Sequence, residues 1–418
     1  MFAQIYQMIV SLIIGVISAR YLGPNNYGII NYAASFVSFF SIVCALGLEG
    51  IVVKAIIDNR NDEGVILGSS IIMRFVAGIL SIGAVCIIVE FLNPGDHTLG
   101  VVAFMQSLAL MFNSAHIIDA WYQSIMRSKV TTIIKCISYT EMSIYRVWLL
   151  VTGKSVEWFA FATSLDALII AVLFIFSYRK DGIHRLSFNF RISQNLLGAS
   201  YHLIISNVMA ALYNQMDRIM IGKIIDQTHV GYYAAASSIC HMWMFIPTAL
   251  ANSARPLIME LKRTDENLYM RRLQQLTGVI FWLGFFMAFC ITLFSDFIIN
   301  CLYGPEYNEA RKALIFIIWS TVLSALSNAR SIWMICENKQ QYTKYLLMCG
   351  VVINLVLNGI LIPTIGMNGA AIATIFTEGV CCFVAPYIIR PTREYARYQL
   401  AAINPIKLIR TFTGGSEE

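Results

Sequence analysis

Arg20 heads the stretch "RYLGPNNYG" at 20–28, with nineteen uncharged residues before it and a further uncharged run from Ile29 to Leu48. Three more arginines, Arg74, Arg146 and Arg330, fall inside apolar runs. A guanidinium stays charged at any physiological pH, and at membrane depth it is retained where it meets an anion or a use. The chemistry on offer is therefore charge pairing. Arg146 has Glu141 in its own run and Asp166 in the next, and reads as part of a structural ion pair. Arg74, about one to two turns inside its run, is the better candidate to face a polar interior. Gly23, Pro24, Asn25, Asn26 and Gly28 supply turn chemistry, so the opening stretch reads as a tight hairpin between two helices.

The elements that must hold these charges follow from composition. The chain has 418 residues, 58% of them hydrophobic and only 13% charged, with a mean hydropathy of +0.66. Those values exclude an ordinary soluble globular protein. Its apolar runs are continuous and do not alternate at period two, which excludes an outer-membrane barrel and predicts a helical bundle. The net charge of +6 is dispersed through short links as topology determinants are, and implies no nucleic-acid partner. Ten cysteines sit mostly within apolar runs, without metal-site or disulfide spacing, and read as small hydrophobes. No cleavable signal is legible at the N-terminus, and the abrupt start of the first run at Met1 suggests residues missing upstream.

Apolar windows punctuated by turns predict twelve spans: 2–20, 29–48, 67–91, 99–118, 130–151 and 156–178, then 196–215, 230–250, 274–294, 311–334, 343–361 and 367–389. With a cytoplasmic N-terminus, the links on the inner side carry 21 Lys and Arg and the outer links carry 6. That bias puts both termini in the cytoplasm. No outer link exceeds about fifteen residues, too short for an external catalytic domain, and the chain reads as a transporter and not an enzyme.

An internal echo refines this layout. "YGIINYAASFVSFFSI" at 27–42 is matched 203 residues later by "VGYYAAASSICHMWMF" at 230–245, Gly28 over Gly231 and Ser35 over Ser238. "DAWYQSIMRSKV" and "RSIWMICENKQ" both place a Trp shortly before a polar, Lys-containing turn. The economical division is an N-lobe at 1–178, a basic link at 179–195, a C-lobe at 196–389 and a cytoplasmic tail at 390–418. The fold class is then all-α integral membrane, with two six-helix lobes in a parallel internal repeat around a central cleft.

"ARYLGPNNYG", "LGLEGIVVKAI" (46–56), "NQMDRIMIGKIIDQTHVGYYAAA" (214–236), "LYGPEYNEARKAL" (302–314) and "NLVLNGILIPTIGMNGAAIAT" (354–374) closely resemble the polysaccharide-exporter flippases. These are the O-antigen or capsule repeat-unit translocases, in the superfamily that also holds multidrug and toxin extruders and the lipid II flippase. The resemblance covers essentially the whole chain. It implies a V-shaped pair of lobes in a bacterial inner membrane that moves an undecaprenyl-diphosphate-linked oligosaccharide from the cytoplasmic to the periplasmic leaflet. Membrane lipids and export machinery such as a polymerase are the implied partners. Lipid II relatives carry arginines in the first half of the first helix where this chain has Gln4, Tyr6 and Gln7, so that cationic site does not transfer.

Such a task requires cations for phosphate and hydroxyl or amide groups for sugar along a path shielded from lipid. Arg20, Lys54, Arg218 and Arg255 bound helices that the repeat pairs and that line the cleft in the superfamily; Arg74 joins them. Tyr6, Tyr32, Tyr213, Tyr232 and Tyr233, with Asn31, Asn207, Asn214 and Gln215, could stack on and hydrogen-bond sugars. Asp217, Asn354, Asn358 and Thr374 match in place a cation site of the lipid II branch, with Asn358 replacing its second acid. They suit Na⁺, or a proton on Asp217; the alternative is an interhelical polar clamp. Glu378 reads as a gate or proton carrier. No other cofactor is implied. Competing readings are a multidrug extruder, disfavoured by the basic cleft, and a glycan polymerase or ligase, disfavoured by the short outer links.

Overall fold

Gly23 takes φ 70° and ψ 171°, a conformation open to glycine, and Pro24 follows where a helix begins and its missing N–H costs nothing. One residue thus does the turning expected of a nine-residue hairpin, and the helix α1, Phe2–Cys44, runs through with that single break. The computed structural model describes residues 2–182 and 184–413. The last five residues of the tail, one residue of the basic link and the side chain of Gln4 lie outside the described residues.

The following helices are α2 (Leu48–Asp58), α3 (Glu63–Leu92), α4 (His97–Ser107), α5 (Ala109–Phe112), α6 (Ile118–Ser124), α7 (Ser128–Val151), α8 (Val156–Asp181) and α9 (Phe190–Ile224). After them come α10 (Gln227–Trp243), α11 (Phe245–Thr264), α12 (Glu266–Leu293), α13 (Ser295–Leu302), α14 (Ala310–Cys336), α15 (Thr343–Ile365) and α16 (Met367–Gly379). A π turn at Val380–Val384 leads to α17 (Ala385–Ile388), α18 (Arg393–Ile403) and α19 (Pro405–Thr413).

Among the described residues, ten helical stretches are long and apolar enough to cross a membrane, against twelve expected. The first two expected spans merge into Tyr6–Asp58 because Gly23 interrupts the helix for only one residue. The expected fifth span, now α7, carries Lys129, Lys135, Glu141 and Arg146 and is too polar to qualify by composition. Polarity is inverted relative to a soluble protein. On α3, Gly68, Ser69, Ser70 and Ser81 are buried, whereas Leu80, Ile87 and Phe91 are 70%, 71% and 82% exposed. Bulky apolar rows turned outward are stable in lipid.

Packing divides the chain into two units, Met1–Gly231 and Tyr232–Glu418. In the first, α1 packs on α9, α4, α3 and α7, and α8 packs on α4 and α7. Leu48, Val52, Ile56, Trp121, Phe174 and Tyr178 form part of its core. Here α9 groups with the helices before it, so the packing boundary lies beyond the basic link; units of packing and lobes of internal equivalence are different divisions of the chain. In the second unit, α14 packs on α12 and α16, and α15 on α16. Its core includes Tyr269, Ile280, Trp333 and Tyr395.

A cavity around Arg74 in the first unit

The turn from α1 into α2 passes through Leu46 and Gly47, both at positive φ (53° and 60°), and lies close enough to α9 that a Cβ on Gly47 would be 3.0 Å from the Leu203 Cβ. Opposite, the 3₁₀ stretch Asn113–Ile117 follows α5. At three residues per turn it eclipses positions i and i+3, which puts Asn113 and His116 on one side. Between these segments lies a cavity of about 750 Å³ lined by Ser41, Glu49, Arg74, Asn113, His116 and Asn207 among others.

Arg74 is 5% exposed. Its Nη2 stands 3.9 Å from Glu49 Oε1, beyond hydrogen-bond length, and its Nη1 is buried without a hydrogen-bond partner among the described residues. His116 packs edge-on against Phe174 at 6.0 Å between ring centres, and its Nε2 is likewise unpartnered. A buried charged donor left unpaired costs about 1–3 kcal/mol or more. The set therefore offers an anion one guanidinium and hydroxyl-rich groups two amides.

Of the five cations expected to meet substrate, the cavity takes in Arg74 alone. Arg20 and Lys54 are exposed on α1 and α2, Arg218 is half-buried on α9, and Arg255 is half-buried on α11 in the second unit. Asn207 joins the cavity as a sugar-facing candidate would. Glu49, Asn113 and His116 were not anticipated; a His within the short polar run "NSAHI" was the available signal. Tyr6 shares a hydrogen bond with Thr140 and Gln7 donates to Tyr139, so both serve α1–α7 packing. Tyr32 is buried and accepts from Asn93 at 3.2 Å. Asp166 accepts from Ser138 while attracting Arg146 from farther away, in place of the close ion pair expected. Arg330 donates to the Cys381 carbonyl at 2.7 Å, which lies in the π turn, where the shifted hydrogen-bond pattern frees acceptors.

Three of the four expected cation ligands meet in the second unit. Asn358 donates to Asn354 Oδ1 at 3.0 Å, Asn354 reaches Thr374 Oγ1 at 3.5 Å, and Thr374 also donates to the Ala370 carbonyl at 3.0 Å. Asp217 is buried on α9, in the first unit.

The model of the polysaccharide biosynthesis protein family matches residues 17–312. Two relatives from Haloferax volcanii are similar over most of the chain. "Probable low-salt glycan biosynthesis flippase Agl15" is 24% identical over 87% of this chain and 76% of its own length. "Probable flippase AglR" is 22% identical over 90% and 79%. Among solved structures, an inward closed lipid II flippase MurJ superposes with a TM-score of 0.76 at 14% identity, covering 100% of this chain and 93% of its own. An inward-facing multidrug-resistance transporter of the MATE family superposes with 0.65 at 12% identity, covering 98% and 96%. The chain has the fold of these two structures.

Proposed function

The chain belongs to the polysaccharide biosynthesis protein family, and we propose that it is a flippase for lipid-linked glycans. The observation that carries this reading is Arg74, buried on a membrane helix with Nη1 unpartnered beside a 750 Å³ cavity. A phosphate oxygen supplies the missing acceptor, and charge-assisted guanidinium–phosphate bonds are strong enough to offset its desolvation. Asn113 and Asn207 then face the proximal sugar. The relatives named as flippases support the same activity.

In finer detail, the proposed cargo is an undecaprenyl-diphosphate-linked O-antigen or capsule repeat unit, moved from the cytoplasmic to the periplasmic leaflet of a bacterial inner membrane. Both termini are cytoplasmic in this reading, and a polymerase receives the product. Alternating access comes from two equivalent lobes, 1–178 and 196–389, with Arg20, Lys54, Arg218 and Arg255 serving the substrate at other stages of its passage. Cation coupling through Asp217, Asn354, Asn358 and Thr374 is part of the proposal.

The test is reconstitution into proteoliposomes with a fluorescent diphosphate-linked disaccharide on a short polyprenyl chain, scored by protection from an impermeant quencher. Wild type is expected to scramble or move the probe, and Arg74→Ala to slow it at least tenfold with unchanged thermal stability. Folded wild-type protein that performs no better than empty liposomes, with undecaprenyl and dolichyl carriers alike, would overturn the reading.

A further inference from the structure

The link between α8 and α9 lies as an extended strip on the first turns of α3. Ser187 N donates to the Gly64 carbonyl at 3.1 Å, Asn189 N donates to Ser69 Oγ at 3.0 Å, and that hydroxyl donates back to the Asn189 carbonyl at 3.4 Å. The approach is close: a Cβ on Gly64 would stand 2.4 Å from the Arg185 carbonyl oxygen, and one on Gly68 2.3 Å from that of Ser187. Buried Glu63 completes the clasp, accepting from Trp121 Nε1 at 3.0 Å and lying 3.3 Å from His184 Nδ1.

On the outer side of this strip Leu186 and Phe188 are 38% and 49% exposed, and Phe190, the first residue of α9, is 66% exposed. Arg185 and Arg191 flank them and are exposed. From 179 to 191 the chain carries four Lys or Arg and a single acid, Asp181, which Tyr122 engages at 3.1 Å. The strip joins two membrane-crossing stretches, Val156–Asp181 and Phe190–Ile224, so both its ends are fixed at a bilayer surface. Apolar side chains between arginines at that depth match the acyl boundary and the anionic headgroups of one leaflet.

We propose that residues 184–191 form a lipid-binding strap, its inner edge clasped to α3 and its outer edge, Leu186, Phe188 and Phe190 between Arg185 and Arg191, seated on anionic phospholipid. This anchors the start of α9 to the leaflet and requires only that α8 and α9 cross the bilayer.

The experiment places a photoreactive benzophenone amino acid at Phe188, and separately at Phe190, in the full chain reconstituted in phosphatidylethanolamine with a minority of phosphatidylglycerol. Adducts are identified by mass spectrometry. Lipid adducts enriched in phosphatidylglycerol over its bulk fraction are expected, the enrichment falling about fivefold for each arginine neutralised in Arg185→Gln and Arg191→Gln. Adducts to another segment of this chain or to a second copy, or lipid adducts in bulk proportion in the wild-type background, would overturn the proposal whatever the arginine variants do.

Discussion

Gly28 and Gly231 pack reciprocally, each against the carbonyl four residues upstream of the other. A Cβ on Gly28 would lie 1.8 Å from the Gln227 carbonyl oxygen, and one on Gly231 2.1 Å from that of Pro24. Thr228 bonds Asn25 at 3.3 Å beside them. With positions 203 residues apart taken as equivalent, 24 with 227, 25 with 228 and 28 with 231, residue 28 meets 227 as 231 meets 24, the reciprocity of a two-fold crossing. The same offset carries the internal echo.

Substitution at this crossing should be costly because backbone, not a flexible side-chain end, meets the added methyl. Gly28→Ala and Gly231→Ala should each destabilise by about 1–3 kcal/mol or more. Gly15→Ala and Gly100→Ala, where nothing lies within 4 Å of the added Cβ, should do far less. Thermal unfolding of the four purified variants in one detergent is the comparison, and equal melting temperatures would remove the crossing from the stability of the fold.

Glu49 competes with a bound anion for Arg74, since its Oε1 is 3.9 Å from Nη2. Glu49→Gln should tighten binding of a diphosphate-linked glycan. Arg74→Lys should retain part of the activity, because charge remains while two-pronged geometry is lost. Equilibrium binding of the labelled glycan at two salt concentrations checks both. Weaker binding in Glu49→Gln would mean that Glu49 itself contacts the cargo.

Asn354, Asn358 and Thr374 bond one another, which serves either a clamp or an ion site whose oxygens reorient. Ion coupling requires unequal affinity for two conformations. Asp217→Asn should then abolish sodium or pH dependence of a fluorescence reporter spanning the lobes, and Asn358→Asp should raise cation affinity. Identical titrations in wild type and Asp217→Asn would leave these residues as a clamp.

Asp226 caps α10, its Oδ1 accepting the His229 backbone N–H at 2.8 Å and lying 2.8 Å from the ring Nδ1. Burial raises its pKa, but the His229 hydrogen bonds and charge outweigh that and hold the carboxyl below the ordinary carboxylate value. A folded-state pKa below the unfolded one means stability present above the unfolded value and lost as pH falls through the folded one. Asp226→Ala should cost about 1 kcal/mol at neutral pH, and the gap to wild type should close in acid. Denaturation profiles of both proteins across pH provide the check.

The membrane class, the helical architecture and the family were legible in the sequence, because unbroken apolar runs report directly on the solvent a helix meets. The glycine echo was legible too, since a crossing that admits no Cβ fixes residue identity at both positions. Span count was less so: the Gly23 break is one residue long, and α7 is helical despite its charges. The cavity was decided by tertiary structure. Glu49, Arg74, His116 and Asn207 come from separate helical segments, and nothing in local periodicity says which polar side chains will converge. Of five candidate cations, packing against the α1–α2 turn, the 3₁₀ stretch and α9 set Arg74 in the cavity at 5% exposure, while Arg255 on α11 also keeps a buried Nε without a hydrogen-bond partner among the described residues; only long-range packing determines which charge is desolvated.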